Sequence, residues 1–306
     1  MKGFLGLTKR NLLVFLKDKQ SVIFSLMTSI IVLALYLLFL KGTFVDAMNS
    51  ILEQYAGLSS LISEDDIDMF ANLVLLTGIL GSAMITVPYN CLTTLVKDRE
   101  NRIDYDILAT PIKRGQIVLS YFASAALSSV ILTSIILTVG LFVMSRLGDM
   151  HMDTANLVAA YGTVALGSIS ATAVFMIVVL LFKSTGASSA FFGMLSAASG
   201  FVIGAYIPIS QFSNSVQTVC NLFPASQITI ILRNQLMSGV LDYMNDSLGG
   251  VDQGMFAQSM REVFSFKANI FNSSLDVNQM VFYVLAGIVF CIAVQILVYT
   301  QTYKKK

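Results

Sequence analysis

KDRENRIDYDILATPIKR, residues 97–114, is the only long, densely charged stretch lying between two apolar segments on the side of the chain that carries the basic residues. It sets Lys97, Arg99, Arg102, Lys113 and Arg114 against Asp98, Glu100, Asp104 and Asp106. Within it, Ile103, Ile107 and Leu108 recur at helical spacing, which predicts a short helix with one apolar and one charged face. Thr110-Pro111 ends that helix, because the residue before a proline is pushed out of the α region. The same pair is expected to open the next helix, with Thr110 as N-cap and Pro111 at the first helical position. A short charged helix lying across the membrane surface between two spanning helices has the shape of a docking element for another protein.

The membrane follows from composition. The chain has 306 residues, of which 56% are hydrophobic and 12% charged, and its mean hydropathy is +0.76. A soluble domain is about 25% charged, so half of the expected charge is missing. The net charge of +1 is spread along the chain rather than pooled in a basic patch, which argues against a nucleic-acid partner. Cys91, Cys220 and Cys291 are far apart in apolar surroundings, which fits neither a disulfide framework nor a metal site.

Six uncharged apolar segments, approximately 21–40, 69–96, 116–144, 157–182, 187–207 and 278–300, can each cross a hydrocarbon core that needs about 20 residues. The expected fold is all-α and integral to the membrane, with six transmembrane helices in one domain over 21–306. Residues 1–20 come before it. There Phe4, Leu5, Leu12, Phe15 and Leu16 share a broad arc while Arg10 and Lys17 share another face, which predicts an interfacial helix. The first apolar segment is too long for a signal-peptide core and no small-residue cleavage site follows it, so it is expected to be retained.

Basic residues set the orientation. The N-terminus, 97–114, Lys183 and Lys304–Lys306 hold 14 Lys and Arg against 5 on the opposite side, while Asp and Glu divide 5 against 13. Both termini and the charged stretch are therefore expected in the cytoplasm. The outer pieces are 41–68, with Glu64-Asp65-Asp66 and Asp68, and 241–276, which holds Gly249-Gly250 and is predicted to be helical around Gln258–Phe266. Neither has the size of an enzyme domain. Between the fifth and sixth segments, Asn214–Leu222 and Ala225–Ser238 read as two short helices broken at Phe223-Pro224. The second is too short to span, so the pair at 214–238 is expected to be re-entrant or interfacial. Gly200 and Gly204 form a GxxxG in the small-residue-rich fifth segment, where packing within the chain is preferred to a contact between copies. No inverted repeat is visible.

No Asp, Glu, Lys, Arg or His lies well inside the six segments. That argues against an ion-driven carrier. It argues equally against an intramembrane protease or acyltransferase, which needs a base beside its nucleophile. His151, the one histidine, sits on a loop with Asp149 and Asp153 and is expected to be solvated. Glu64–Asp68 has no EF-hand spacing and reads as a solvated acidic face. Asn245-Asp246-Ser247 and Asn272-Ser273-Ser274 match sequons on the outer side. Pro88, followed by Tyr89 and Asn90, is expected to kink the second span and could offer polar groups to a pathway. The chain lacks a G-x-x-x-x-G-K-[ST], so any ATP that drives it is bound by another polypeptide.

This order of elements resembles the membrane subunit of a type-2 ABC exporter, the ABC-2 permease family. The residues that carry the resemblance are Arg10-Asn11-Leu12 and Lys17-Asp18-Lys19 before the first span, and Asp98-Arg99-Glu100 with Ile107-Leu108-Ala109-Thr110-Pro111-Ile112 between spans two and three. Gly204-Ala205-Tyr206-Ile207-Pro208-Ile209 ends span five, and Leu222-Phe223-Pro224-Ala225 follows. Asn101-Arg102 stands where the family often has a glycine-threonine pair. The resemblance implies a non-enzymatic permease with no cofactor of its own, in a bacterial plasma membrane and in contact with its lipid. It would pair with a second permease subunit, identical or paralogous, above two cytoplasmic P-loop ATPase subunits that hold ATP and Mg. A coupling helix around Arg99–Ala109 would enter an ATPase cleft. Its coupling residues would be Arg99, Glu100, Arg102, Ile103, Asp104, Ile107, Leu108, Thr110 and Pro111, with Ile103, Ile107 and Leu108 filling the cleft. The N-terminal helix, with Arg10 and Lys17, would brace that contact. Phe223 and Pro224 would belong to an outer gate, and Pro88, Tyr89, Asn90, Gly200 and Gly204 are pathway candidates. The implied cargo is an amphiphile: a drug, an antimicrobial peptide or a lipid. The alternatives are export of a lipid-linked polysaccharide or wall polymer, and a non-transporting immunity or sensor protein that binds an extracellular peptide through 41–68 and 241–276.

Overall fold

The computed structural model describes residues 2–53, 61–271 and 273–302; Asn272 of the second sequon and Lys304–Lys306 lie outside them. Long uncharged runs become helices because lipid offers nothing to an open N–H or C=O. Apart from one short antiparallel hairpin, β1 (Ala268–Ile270) with β2 (Ser273–Leu275), the regular structure is helical.

Helices α1 (Lys2–Lys17) and α2 (Lys19–Leu35) meet at a 70° elbow. Asp18 forms the elbow by capping α2, its carboxylate accepting the Ser21 N–H at 3.1 Å. A π-helical turn at Tyr36–Leu40 carries the chain from α2 into α3 (Lys41–Glu53) without a stop. Lys41 opens α3, and its ammonium pairs with Asp68 at 2.9 Å.

The second segment is longer at both ends than its apolar run. It comprises α4 (Glu64–Cys91) and α5 (Thr93–Glu100), a rod of 37 residues. Ser63 caps its start, and Glu64, Asp65 and Asp66 occupy the first turn, where the helix dipole favours acids. The acidic cluster is thus the beginning of a helix. Pro88 does not open a polar break: the Leu92 N–H reaches the carbonyls of both Pro88 and Tyr89, and the irregularity ends there. The apolar window of this rod is 89% buried against 11% for the last helix, so the rod is the axis of the bundle.

Around it stand α7 (Arg114–Leu147), α8 (Thr154–Val179), α9 (Thr185–Val202) and α14 (Val277–Thr302), joined to the rod by α6 (Ile103–Leu108). Among the described residues, four helices are long and apolar enough to cross a membrane by themselves, or five if the bent α1–α2 pair is one span; α9, diluted by serine and glycine, is not among them. It ends in a Schellman turn. Gly204 takes the left-handed conformation (φ +68°), the Ala205 N–H returns to the Gly200 carbonyl at 2.8 Å, and the Gly204 N–H returns to Phe201 at 3.2 Å. A Cβ on Gly200 would stand 2.3 Å from the Tyr206 ring. The GxxxG spacing therefore marks a helix stop and not a helix–helix contact.

Helices α10 (Asn214–Leu222) and α11 (Pro224–Leu236) form the expected pair, with Pro224 at the first position of α11. Helix α11 is covered by the rest of the chain, with Ala225 through Arg233 all buried. The pair dips into the bundle, where Gly81 and Gly167 make room: a Cβ at Gly81 would lie 2.3 Å from Thr229 Oγ1, and one at Gly167 would lie 2.7 Å from Ile228. Beyond α11, α12 (Ser238–Ser247), α13 (Met255–Val263) and the hairpin build a cap at the end of the bundle away from α6.

Candidate functional site

In an α-helix successive side chains point about 100° apart, so four charged residues in a row must reach four different neighbours. Lys97, Asp98, Arg99 and Glu100 do so. Lys97 donates to Asp18 at 2.6 Å and to Ser21 at 3.1 Å, holding the elbow between α1 and α2. Asp98, 3% exposed, accepts two hydrogen bonds from the Arg10 guanidinium of α1 and one from the Tyr121 hydroxyl of α7 at 2.5 Å. Arg99 donates to the carbonyls of Leu180 and Phe182 at 2.8 and 2.7 Å, at the end of α8, where the dipole favours a cation. Glu100 accepts the Thr185 N–H at 3.1 Å, at the beginning of α9, where the dipole favours an anion. One turn of the central rod thereby ties together α1, α2, α7, α8 and α9.

Charge sets the protonation of this turn. The hydrogen bonds to Asp98 raise the Arg10 pKa against the opposing effect of its burial. The Lys97 hydrogen bond, helped by those from Ser21, lowers Asp18 to about 2 from its ordinary 3.8, overcoming its desolvation. Because the folded value is the lower one, the stability contributed by Asp18 is complete above about pH 4 and disappears as pH falls through about 2. The carboxylate is 32% exposed, so screening keeps the effect small. Melting curves should separate wild type from Asp18→Asn by a constant amount between pH 7 and 4 and converge below it; a gap that widens on acidification would contradict the linkage.

The adjoining loop differs from the single helix expected over Arg99–Ala109. Arg102 is left-handed (φ 60°) and divides α5 from α6. Thr110 does not cap α7: its hydroxyl donates backward to the Ile107 carbonyl at 2.6 Å, and α7 begins at Arg114 with Lys113 as N-cap. Ile112, between them, packs against α1, where a Cβ on Gly3 would approach its Cγ1 to 3.0 Å. The apolar stripe of α6 also faces inward. Ile107 and Leu108 pack on the core that holds Phe15, Tyr121 and Phe175, Ile103 is half-buried and Asp104 is buried. Arg102, Tyr105, Asp106, Thr110 and Pro111 remain exposed. The sequence reading assigned the apolar face of α6 to a partner, whereas the chain covers that face itself and leaves Tyr105 and Asp106 on the exposed side.

The other predicted residues fall into separate places. Lys17 is exposed and does not join Arg10. Pro88 and Tyr89 are buried, and the Tyr89 hydroxyl bonds Ser188 at 2.9 Å while its ring lies among Phe175, Phe191 and Phe192. Asn90 lines a cleft of ≈ 440 Å³ together with Phe24, Lys97, Ser188 and Phe192, and its amide nitrogen is buried without a hydrogen-bond partner. Phe223 packs on Phe175 with centroids 5.8 Å apart. His151 is not simply solvated: it stacks on Tyr243 at 3.8 Å and lies 3.9 Å from Asp66 and from Asp149.

Arg233 of α11 is the functional candidate with the weakest sequence signal, a lone cation in a short apolar helix. It is 1% exposed. Its guanidinium donates to the carbonyls of Phe264 at 2.9 Å, Gly204 at 2.7 Å and Ile203 at 3.4 Å, and it forms no carboxylate pair among the described residues. It fastens the end of α9 and the cap to the dipping helix.

No curated protein and no solved structure matches the chain. A family model does: residues 62–300, from the start of the central rod almost to the end of α14, match that of the ABC-2 family transporter proteins. The chain therefore belongs to that family, as a multi-pass, non-catalytic membrane subunit that works with a separate ABC ATPase.

Proposed function

We propose that this subunit exports an amphiphile, a drug, an antimicrobial peptide or a lipid, across the plasma membrane, with six spans and both termini in the cytoplasm. Two permease subunits, identical or paralogous, pair above two ATPase subunits that hold ATP and Mg. The small residues Ala190, Gly193 and Ala197 on the exposed side of α9 suit close approach of a second subunit. The mixed walls of the ≈ 440 Å³ cleft, Asn90 and Ser188 beside Phe24 and Phe192, suit a molecule with a polar head and an apolar body.

The observation that carries the reading is the charged turn. The ATPase would push on Arg102, Tyr105, Asp106, Thr110 and Pro111, and α6 would pass the motion to the rod. Lys97–Glu100 would then share it among α1, α2, α7, α8 and α9 as a rigid-body tilt. Glu100 thus acts on α9 from within the chain, in addition to any contact with the ATPase.

Glu100→Lys tests this. A cation at the start of α9 opposes the helix dipole, but at a fully exposed site solvent screens that effect, so insertion and melting should be nearly normal. Transport-coupled ATP hydrolysis with the ABC ATPase should fall several-fold. Normal coupling in that variant would remove the charged turn from the mechanism.

A further inference from the structure

A cleft of ≈ 750 Å³ opens in the cap, at the end of the bundle away from the charged turn. Its volume lies within the range of small-ligand sites. Amide side chains line it, and the hydrogen bonds they already make define what they can still offer. Asn234 Nδ2 donates to the carbonyls of Ile230 and Phe266 at 2.9 and 2.8 Å. Gln258 Nε2 donates to Glu262 at 3.0 Å, and Asn269 Nδ2 donates to Gln217 at 3.1 Å. Their amide oxygens have no partner among the described residues, and Asn245 Oδ1 is buried without one. Gln258 and Asn269 each keep a second N–H as well, so the walls offer both donors and acceptors and call for a ligand that carries both.

Charge narrows the choice. Asp242 and Arg261 neutralise each other at 2.8 Å, and Arg261 covers the Phe266 ring at 5.4 Å. Glu262 and Lys267, both exposed at the cleft, have no ion partner among the described residues. A neutral sugar would satisfy the amide oxygens and leave both charges unanswered. A lipid tail would find Ile209, Ala257 and Phe266 but leave the amides and both charges unanswered. A peptide backbone, whose N–H and C=O groups alternate between an ammonium and a carboxylate, answers the amides and both charges, with the ammonium at Glu262 and the carboxylate at Lys267.

We infer that this cleft is a binding site for short peptides with free ends. On the orientation proposed above it faces outside, but binding to the purified chain depends neither on that orientation nor on export, so the two readings fail separately. The test is calorimetric titration of the full-length protein in nanodiscs with triglycine, with triglycine acetylated and amidated at its ends, and with maltotriose. Triglycine should bind, and capping both ends should weaken it at least tenfold. Glu262→Gln should abolish the preference for a free amino end, and Lys267→Gln the preference for a free carboxylate. Equal binding of the capped peptide, tighter binding of maltotriose, no binding of triglycine up to millimolar concentration, or unchanged preferences in both variants would each overturn the assignment.

Discussion

Replacing Arg233 by methionine should destabilise the protein by about 2–6 kcal/mol, from the 1–3 kcal/mol typical of each buried carbonyl left unpaired. Two carbonyls are well bonded to the guanidinium, those of Phe264 at 2.9 Å and Gly204 at 2.7 Å. The opposing effect is relief of a buried charge, which can make a hydrophobic replacement neutral or even favourable. Here the first effect should win, because Gly204 is the left-handed residue that ends α9 and its carbonyl cannot turn to another donor without undoing that stop. Arg233→Lys should recover only part of the loss, since one ammonium cannot match the planar fork of donors. The readout is limited proteolysis alongside thermal melting. Cleavage should rise first within the cap, α12 to β2, while the charged turn at the other end stays protected. Wild-type melting and protection in the methionine variant would show that desolvation of Arg233 outweighs its bonds.

The charged turn makes the second prediction. Arg10→Ala should destabilise the fold by about 3 kcal/mol, the low end of the range for breaking a buried ion pair, because Arg10 is itself a third exposed. The damage comes from Asp98, left at 3% exposure without its cation and with the Tyr121 hydroxyl as its one donor among the described residues. Adding Asp98→Asn to Arg10→Ala should therefore restore about 1–2 kcal/mol, by removing the charge and keeping a group that can accept from Tyr121. A double variant less stable than Arg10→Ala would mean that Asp98 holds the turn by contacts other than its charge pair.

How much of this was legible can be judged residue by residue. The apolar runs, the separate amphipathic helix before the first of them, the paired short helices around Pro224 and the place of the charged stretch between two apolar runs could all be read, since each depends on neighbours in the chain: helical spacing, a proline, a run without charge. The inward turn of Ile107 and Leu108 could not, because an amphipathic stripe says that one face will be covered and is silent about what covers it. The Gly200–Gly204 spacing suits a helix contact and a helix stop alike, and only the return of the Ala205 N–H to Gly200 decides between them. Arg233 looked like one more outer cation, because its burial depends on α9 and the cap closing over α11.

Sequence alone therefore determined that this protein lives in a membrane, that it has no P-loop motif, and that its one long charged stretch between apolar segments lies at 97–114. These follow from transfer free energies and local backbone rules, which are properties of consecutive residues. Tertiary structure alone decided that Lys97, Asp98, Arg99 and Glu100 bind five helices of their own chain, and that Arg102, Tyr105, Asp106, Thr110 and Pro111 are the ones left exposed beside them. The partner of a charge is chosen by distance in space, and Asp98 lies 88 positions from Arg10 along the chain.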